Sequence, residues 1–205
     1  AVGADDELWV GVYGRGVNRV QGGVVRQAIT LADGLPSLLI RALHVDAAGD
    51  LWVGTEGGLA RVSEGRLALL GAADGILSDD VFVVQSDGRG TVWVGTGGGL
   101  YAYRDERFTA YPAAGGSPGN AIYALHLDRD RTTLWIGSEA GLGRYREDSG
   151  FTSFGRHEGM LRHAVFQVLE DDSGRLWLSS NNGVLSVAKA DLDRVAAGAH
   201  GALAV

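Results

Sequence analysis

The residues best suited to holding a small polar ligand recur in four short loops: LPSLLIR (35–41), ILSDDVF (76–82), SPGNAIY (117–123) and MLRHAVF (160–166). Aligned on the tryptophans that follow them, Leu38, Asp79, Asn120 and His163 occupy one equivalent slot. Arg41, Phe82, Tyr123 and Phe166 occupy a second, just inside the next strand, and Arg162 adjoins His163. Around these slots the loops keep apolar residues at fixed places, and the repeat does not dictate the types within them. Aromatic faces beside an arginine, a carboxylate, an amide and an imidazole suit a sugar or oligosaccharide, which is held by ring contact and by hydrogen bonds to its hydroxyls. The competing reading is that the rings pack between strands and the polar groups face water. A second set of loops supplies Glu56, Glu139, Asn181 and Asn182, for which a plain turn role competes with ligand contact, since Asn tolerates the left-handed backbone region.

Other chemistry finds little support. The five histidines, His44, His126, His157, His163 and His200, show no metal-ligand spacing. His157-Glu158 invites a general-base reading but lies in an ordinary outer loop. Asp46, Asp87, Asp128 and Asp171 recur once per repeat, as expected of residues that cap their own turns. A calcium loop needs acids at alternating positions, and only Asp128-Arg129-Asp130 approaches that. GTGGGL at 95–100 resembles a phosphate loop, yet no helix follows to hold a phosphate. There is no nucleophile elbow, P-loop or dinucleotide fingerprint. The expectation is therefore a binding segment without catalytic residues, metal or cofactor.

The elements that position these loops are repeats. Trp9, Trp52, Trp93, Trp135 and Trp177 are spaced by 43, 41, 42 and 42 residues and stand in LWVGV, LWVGT, VWVGT, LWIGS and LWLSS. An Asp precedes the Trp by six at Asp46, Asp87 and Asp171, and by seven at Asp128, where one residue is inserted. A Gly precedes it by three at Gly49, Gly90 and Gly174. Within residues 40–70, IRALHV, LWVGT, LARVS and RLALL alternate as strands between Gly- and Asp-bearing turns. Four antiparallel strands in about 42 residues are the signature of a propeller blade. The fold class expected is all-β: a β-propeller of four-stranded antiparallel blades over 1–188, with a short helix and linker over 189–205. Each indole is expected to fill the wedge between neighbouring sheets. Five Trp strands but only four inner and four outer strands can be counted, and Gly3 stands where the first repeat Asp should be. An open arc exposes unpaired edges, so the five repeats are expected to be the C-terminal part of a larger propeller.

Composition narrows the partners. A formal net charge of −7 with interspersed signs argues against nucleic acid. There is no cysteine, which excludes disulfides and thiolate metal sites. No apolar run approaches the ~20 residues that span a bilayer, so this segment is expected to make no membrane contact. The N-terminal AVGADDELW does not read as a signal peptide.

The phrases at Asp46–Arg61 and Gly75–Asp87 resemble the two-component regulator propeller repeat, and the resemblance extends over residues 1–188. It implies a bacterial extracytoplasmic sensor, periplasmic or extracellular, that binds a small-molecule or oligosaccharide signal and works on a kinase or cyclase domain elsewhere in the same polypeptide. GRLWLSSNNGVLSVAKADLDRVAAG resembles the closing blade of such sensors, with a helix over Ala190–Ala197 ending at Gly198. A homodimer remains open. Two alternatives stand beside it: a protein-interaction or adhesion propeller, and an enzyme like the streptogramin B lyase propellers, with His163 and Glu139 as its candidates.

Overall fold

Each tryptophan lies in its own small antiparallel sheet, and the strands of every sheet follow chain order. The computed structural model describes residues 1–3, 7–113, 116–117, 119–154 and 163–198. The chain divides into two units, Ala1–Ala110 and Tyr111–Val205. The first holds three blades: β1 (Leu8–Val12), β2 (Gly16–Gln21) and β3 (Val24–Ile29); then β4 (Ile40–Val45), β5 (Leu51–Thr55), β6 (Gly58–Ser63) and β7 (Arg66–Leu70); then β8 (Val81–Ser86), β9 (Val92–Thr96), β10 (Gly99–Arg104) and β11 (Arg107–Tyr111). The second holds β12 (Ile122–Leu127), β13 (Thr133–Ser138), β14 (Gly141–Arg146) and β15 (Gly150–Phe154), followed by β16 (Val165–Glu170), β17 (Arg175–Ser180), β18 (Gly183–Ala188) and the helix α1 (Lys189–Ala196). The second, third and fourth sheets have four strands; the first and fifth have three.

Trp9, Trp52 and Trp135 pack forward, each onto the sheet that follows within its own unit. Trp9 joins Leu51, Val53 and Ala60 of the second blade. Trp52 joins Val81, Val84, Val94 and Tyr103 of the third. Trp135 joins Val165, Leu176, Leu178 and Val187 of the fifth. The glycine two residues beyond each of these rings lets the sheets approach. A Cβ on Gly54 would stand 2.7 Å from Val81 Cγ1, and one on Gly137 would stand 2.7 Å from the Val165 carbonyl oxygen.

The fifth blade departs from this pattern. Trp177 is 43% exposed, against 1% for Trp135, and among the described residues no sheet of its unit packs on that side of the blade. Leu169 and Val184 are exposed with it, and Ser179 replaces the close-approach glycine. The expectation that all five indoles are wedged between sheets thus fails for Trp177, since burial here is supplied by the neighbour and not by the strand itself.

The repeat aspartate organises the turn between inner and Trp strands. Asp46 Oδ1 accepts the amides of Ala48 and Asp50 at 2.9 and 3.0 Å, and Oδ2 accepts the Trp52 indole N–H at 2.8 Å. Asp171 does the same with Ser173, Arg175 and Trp177. In the fourth blade Asp128 keeps the indole at 2.9 Å, and Asp130 takes the amides of Thr132 and Thr133 in the lengthened turn. The first blade lacks the Asp, and Glu7 accepts the Trp9 indole at 3.1 Å instead. Gly49, Gly90 and Gly174 complete the turns at φ of +88°, +96° and +76°, a region costly for other residues.

After the last strand, α1 lies against the two blades of its unit. Leu192 is fully buried in their core. Lys189 donates to Asp128 at 3.0 and 3.1 Å and also bonds Glu170, while Arg144 pairs with Asp193 at 2.5 Å. Gly198, at φ +87°, donates its N–H to the Val195 carbonyl at the end of the helix.

Two outcomes are expected. Trp135→Ala should lower stability in urea by about 3–5 kcal/mol, as for other buried large-to-small changes, whereas Trp177→Ala should cost less than about half of that; equal losses would contradict the packing described. The second concerns acid. Burial alone would raise the Asp128 carboxyl, but the hydrogen bonds from Trp135 and Lys189 outweigh it and hold the carboxyl below its ordinary value. Its stabilising contribution is therefore complete above the unfolded value of about 3.9 and is lost as pH falls through the lower folded value. Melting temperatures measured downward from pH 6 should drop below about pH 4, and Asp128→Asn should flatten that drop.

Candidate functional site

The slot that holds Arg41, Phe82, Tyr123 and Phe166 has a structural definition. In each inner strand the ladder skips one residue: Ile40 faces Thr55 and Ala42 faces Gly54; Val81 faces Thr96 and Val83 faces Gly95; Ile122 faces Ser138 and Ala124 faces Gly137; Val165 faces Ser180 and Gln167 faces Ser179. The skipped residues are Arg41, Phe82, Tyr123 and Phe166. A β-bulge frees a residue from ladder pairing and re-aims its side chain. The residue before each bulge is the one pressed against the preceding blade where that blade is in the same unit, as Gly54–Val81 and Gly137–Val165 show. The bulged residues of neighbouring blades within a unit meet one another instead, Arg41 with Phe82 and Tyr123 with Phe166.

The two kinds of loop meet at this end of the blades. The Glu56 amide donates to the Leu39 carbonyl at 3.3 Å, Gly97 to Asp80 at 2.9 Å and Glu139 to Ala121 at 3.1 Å. Each second loop is tied internally by the hydroxyl that ends the Trp strand. Thr55 Oγ1 donates to the Gly58 carbonyl at 2.9 Å and accepts the Gly57 amide at 3.1 Å, and Thr96, Ser138 and Ser180 repeat the pattern.

In the first unit Arg41 gathers the site. Its guanidinium meets Glu56 at 2.6 Å and Asp80 at 3.1 Å, and lies 5.2 Å from the Phe82 ring centre. The guanidinium is thus laid on an aromatic face between two carboxylates, all partly open to solvent. Exposed pairs of this kind add little stability, about 0–1 kcal/mol, so their arrangement is available for recognition. Asp79 is exposed and lies outside this cluster; its neighbour Asp80 is the participating acid. A sequence signal for Asp80 existed: the same repeat position holds Leu39, Ala121 and Ala164 elsewhere, so the one charged member stood out.

In the second unit Tyr123 and Phe166 are paired with ring centres 5.2 Å apart and planes tilted by 45°. Phe166 is 39% exposed. Asn120 is exposed, and its backbone is clamped: Glu139 Oε1 accepts the Asn120 amide and Oε2 the Ala121 amide, both at 2.7 Å. Glu139 is therefore a loop clamp, a role beyond the turn residue its sequence suggests. His163 Nε2 lies 2.6 Å from Asn182 Nδ2, so the histidine and Glu139, weighed together as lyase-like candidates, hold different partners. Arg162 lies outside the described residues, as do His157, Glu158 and His200. No group of three or more His, Asp or Glu able to hold a metal occurs among the described residues.

Residues 34–57 match the family model of the two component regulator propeller. No curated protein matches the chain. Among solved structures, the chain superposes on the extracellular domain of the hybrid two component system BT3049 from B. thetaiotaomicron with a TM-score of 0.84 and 19% identity, covering 96% of this chain and 28% of that one. The extracellular domain of BT4673 from the same organism gives 0.75 and 21%, covering 92% and 26%. The chain thus spans about a quarter of each. Virginiamycin B lyase from Staphylococcus aureus gives 0.65 and 13%, covering 92% and 68%. At these identities the likeness establishes the β-propeller fold. No helix among the described residues is long and apolar enough to cross a membrane.

Glu139→Ala should release the loop before β12. The Asn120 and Ala121 amides should then exchange with solvent at least about tenfold faster, because two charge-assisted hydrogen bonds are lost. The melting temperature should stay nearly constant, since the contacts are exposed. Unchanged exchange at these two amides would show that the clamp does not order the loop.

Proposed function

We propose that this chain is the ligand-sensing part of a larger β-propeller in a bacterial signalling protein, outside the cytoplasm, and that signal-binding residues lie at the bulged blade ends of each unit taken by itself: Arg41, Asp79 and Phe82 in the first, and Asn120, Tyr123, His163 and Phe166 in the second. One observation carries this reading. Four consecutive inner strands bulge at the same residue, and the positions skipped by the ladder bear an arginine and three aromatic rings instead of a repeated core type. A bulge costs ladder bonds, and bulges concentrate where a side chain is re-aimed beside a site. Rings edged by carboxylates and an exposed amide suit a glycan fragment, whose apolar faces stack while its hydroxyls bond. The match to the regulator-propeller model and the likeness to extracellular domains of two component systems support a sensing role.

Signal transfer needs only that the ligand favour one arrangement of blades over another. The helix α1 is anchored to both blades of its unit through Lys189, Asp193 and Leu192, so a shift between those blades would be passed to whatever follows it in the polypeptide. A protein-interaction platform is a second reading, favoured by the exposed Trp177, Leu169 and Val184 of the fifth blade.

The test is a thermal-shift screen of the chain against oligosaccharides, followed by the double variant Asn120→Ala with Tyr123→Ala. A stabilising glycan should be found, and the double variant should abolish its effect while still melting cooperatively. If a glycan stabilises the double variant equally well, the site is elsewhere. If no glycan acts and the Trp177 face captures a protein, the platform reading replaces this one.

A further inference from the structure

At the opposite end of the strands, two inter-blade seams of the same repeat design can be compared, one inside each unit. In the second unit the seam is filled by Lys189. Its backbone N–H bonds the Gly174 carbonyl at 3.1 Å, its Cε passes 3.9 Å from where a Cβ on Gly174 would stand, and its ammonium lands on Asp128 and Glu170. In the first unit the repeat-equivalent residues of Asp128, Trp135, Glu170 and Gly174 are Asp46, Trp52, Ser86 and Gly90. These four, together with Arg61 and Tyr103, line an open cavity of about 200 Å³.

The electrostatics of this cavity favour a cation. Arg61 is neutralised by Asp50, which accepts from Nε at 2.8 Å and from Nη2 at 2.5 Å. The charge left over is that of Asp46. Its carboxylate holds the Trp52 indole and two turn amides, and Asp128, with the indole and one turn amide, still accepts an ammonium through both oxygens. Partial burial lowers the pKa of His44. Its Nε2 accepts the Ser86 amide at 3.0 Å and lies 2.7 Å from Ser86 Oγ. The Ser86 hydroxyl oxygen, which can accept as well as donate, stands in the place where Glu170 serves in the other seam. The volume falls below the ~300 Å³ at which drug-sized sites begin, so the occupant is small.

We propose that this seam is a binding site for a primary alkyl-ammonium group, whose nitrogen bridges Asp46 and Ser86 while its stem lies along Gly90. The group belongs either to a free amine or to a lysine side chain of a partner protein. The site is separate from the bulge-bearing blade ends and does not rest on their reading.

The test follows the indole N–H signals of the ¹⁵N-labelled 205-residue chain, with Trp52 and Trp135 assigned by Phe variants. Cadaverine should shift the Trp52 signal saturably at millimolar concentrations and leave Trp135, whose seam Lys189 fills, in place. The neutral isostere 1,5-pentanediol should shift neither. Ser86→Glu, which restores the second carboxylate, should tighten cadaverine binding by about tenfold, as one added charge-assisted hydrogen bond would. A stronger response to Nα-acetyl-lysine methylamide than to cadaverine would assign the group to a protein lysine, and the reverse to a free amine. A Trp52 shift of equal size with pentanediol, or no saturable shift with either amine in the wild-type chain, would overturn the proposal.

Discussion

A tryptophan buried between two sheets has one polar atom, and that atom must find a partner. An indole N–H left unbonded in the low-dielectric seam would cost about 1–3 kcal/mol, much of what the buried ring contributes. The solution here is a carboxylate in the preceding turn, which accepts the indole through one oxygen and turn amides through the other. One group therefore fixes the turn conformation, the ring orientation and the height at which the ring meets the next sheet. The requirement is chemical and not positional. Where the fourth blade gains a residue, Asp128 keeps the indole and Asp130 takes the displaced amides. Where the first blade lacks the aspartate, Glu7 accepts the indole N–H instead.

Given that anchoring, the close approach of neighbouring sheets dictates the rest. The Trp strand needs a glycine two residues on, because the next inner strand begins against it. Within each unit the first residue of the inner strand that meets this glycine is consequently β-branched: Ile40, Val81 and Val165. The bulge immediately after it separates packing from recognition within two residues. One serves the seam, and the next is turned away from the ladder and can vary between Arg and aromatic types without disturbing the blades.

The tryptophan spacing, the strand pattern and the repeat aspartates made the blade architecture legible in the sequence, because each is a local constraint with its own residue type. Less legible were features that depend on register or on neighbours. A bulge has no composition of its own; the alignment picked out Arg41, Phe82, Tyr123 and Phe166 as a variable slot, but only the pairing of Ile40 with Thr55 and Ala42 with Gly54 shows why the slot is free. Asp79 and Asp80 are adjacent, and which of them meets Arg41 is decided by strand phase near a bulge, where alternation breaks. Glu139 looked like a turn residue because its partners are backbone amides, which carry no sequence signature.

The fifth blade separates two effects that coincide in the others. Trp177 keeps its hydrogen bond to Asp171 at 2.8 Å while nearly half of its surface remains open, so the carboxylate hook forms without the wedge. The hook is a local property of the turn, and the wedge is a property of the pair of sheets. The same blade also shows how a repeat can end its own pattern. After β18 the chain turns into α1 in place of a fourth strand. It seats Leu192 in the core, sends Lys189 to the carboxylates of the seam and gives Asp193 to Arg144. Two seams built to one plan thus reach different ends: one is closed by a lysine from its own chain, and the other keeps an aspartate and a serine hydroxyl facing an open cavity of matching design.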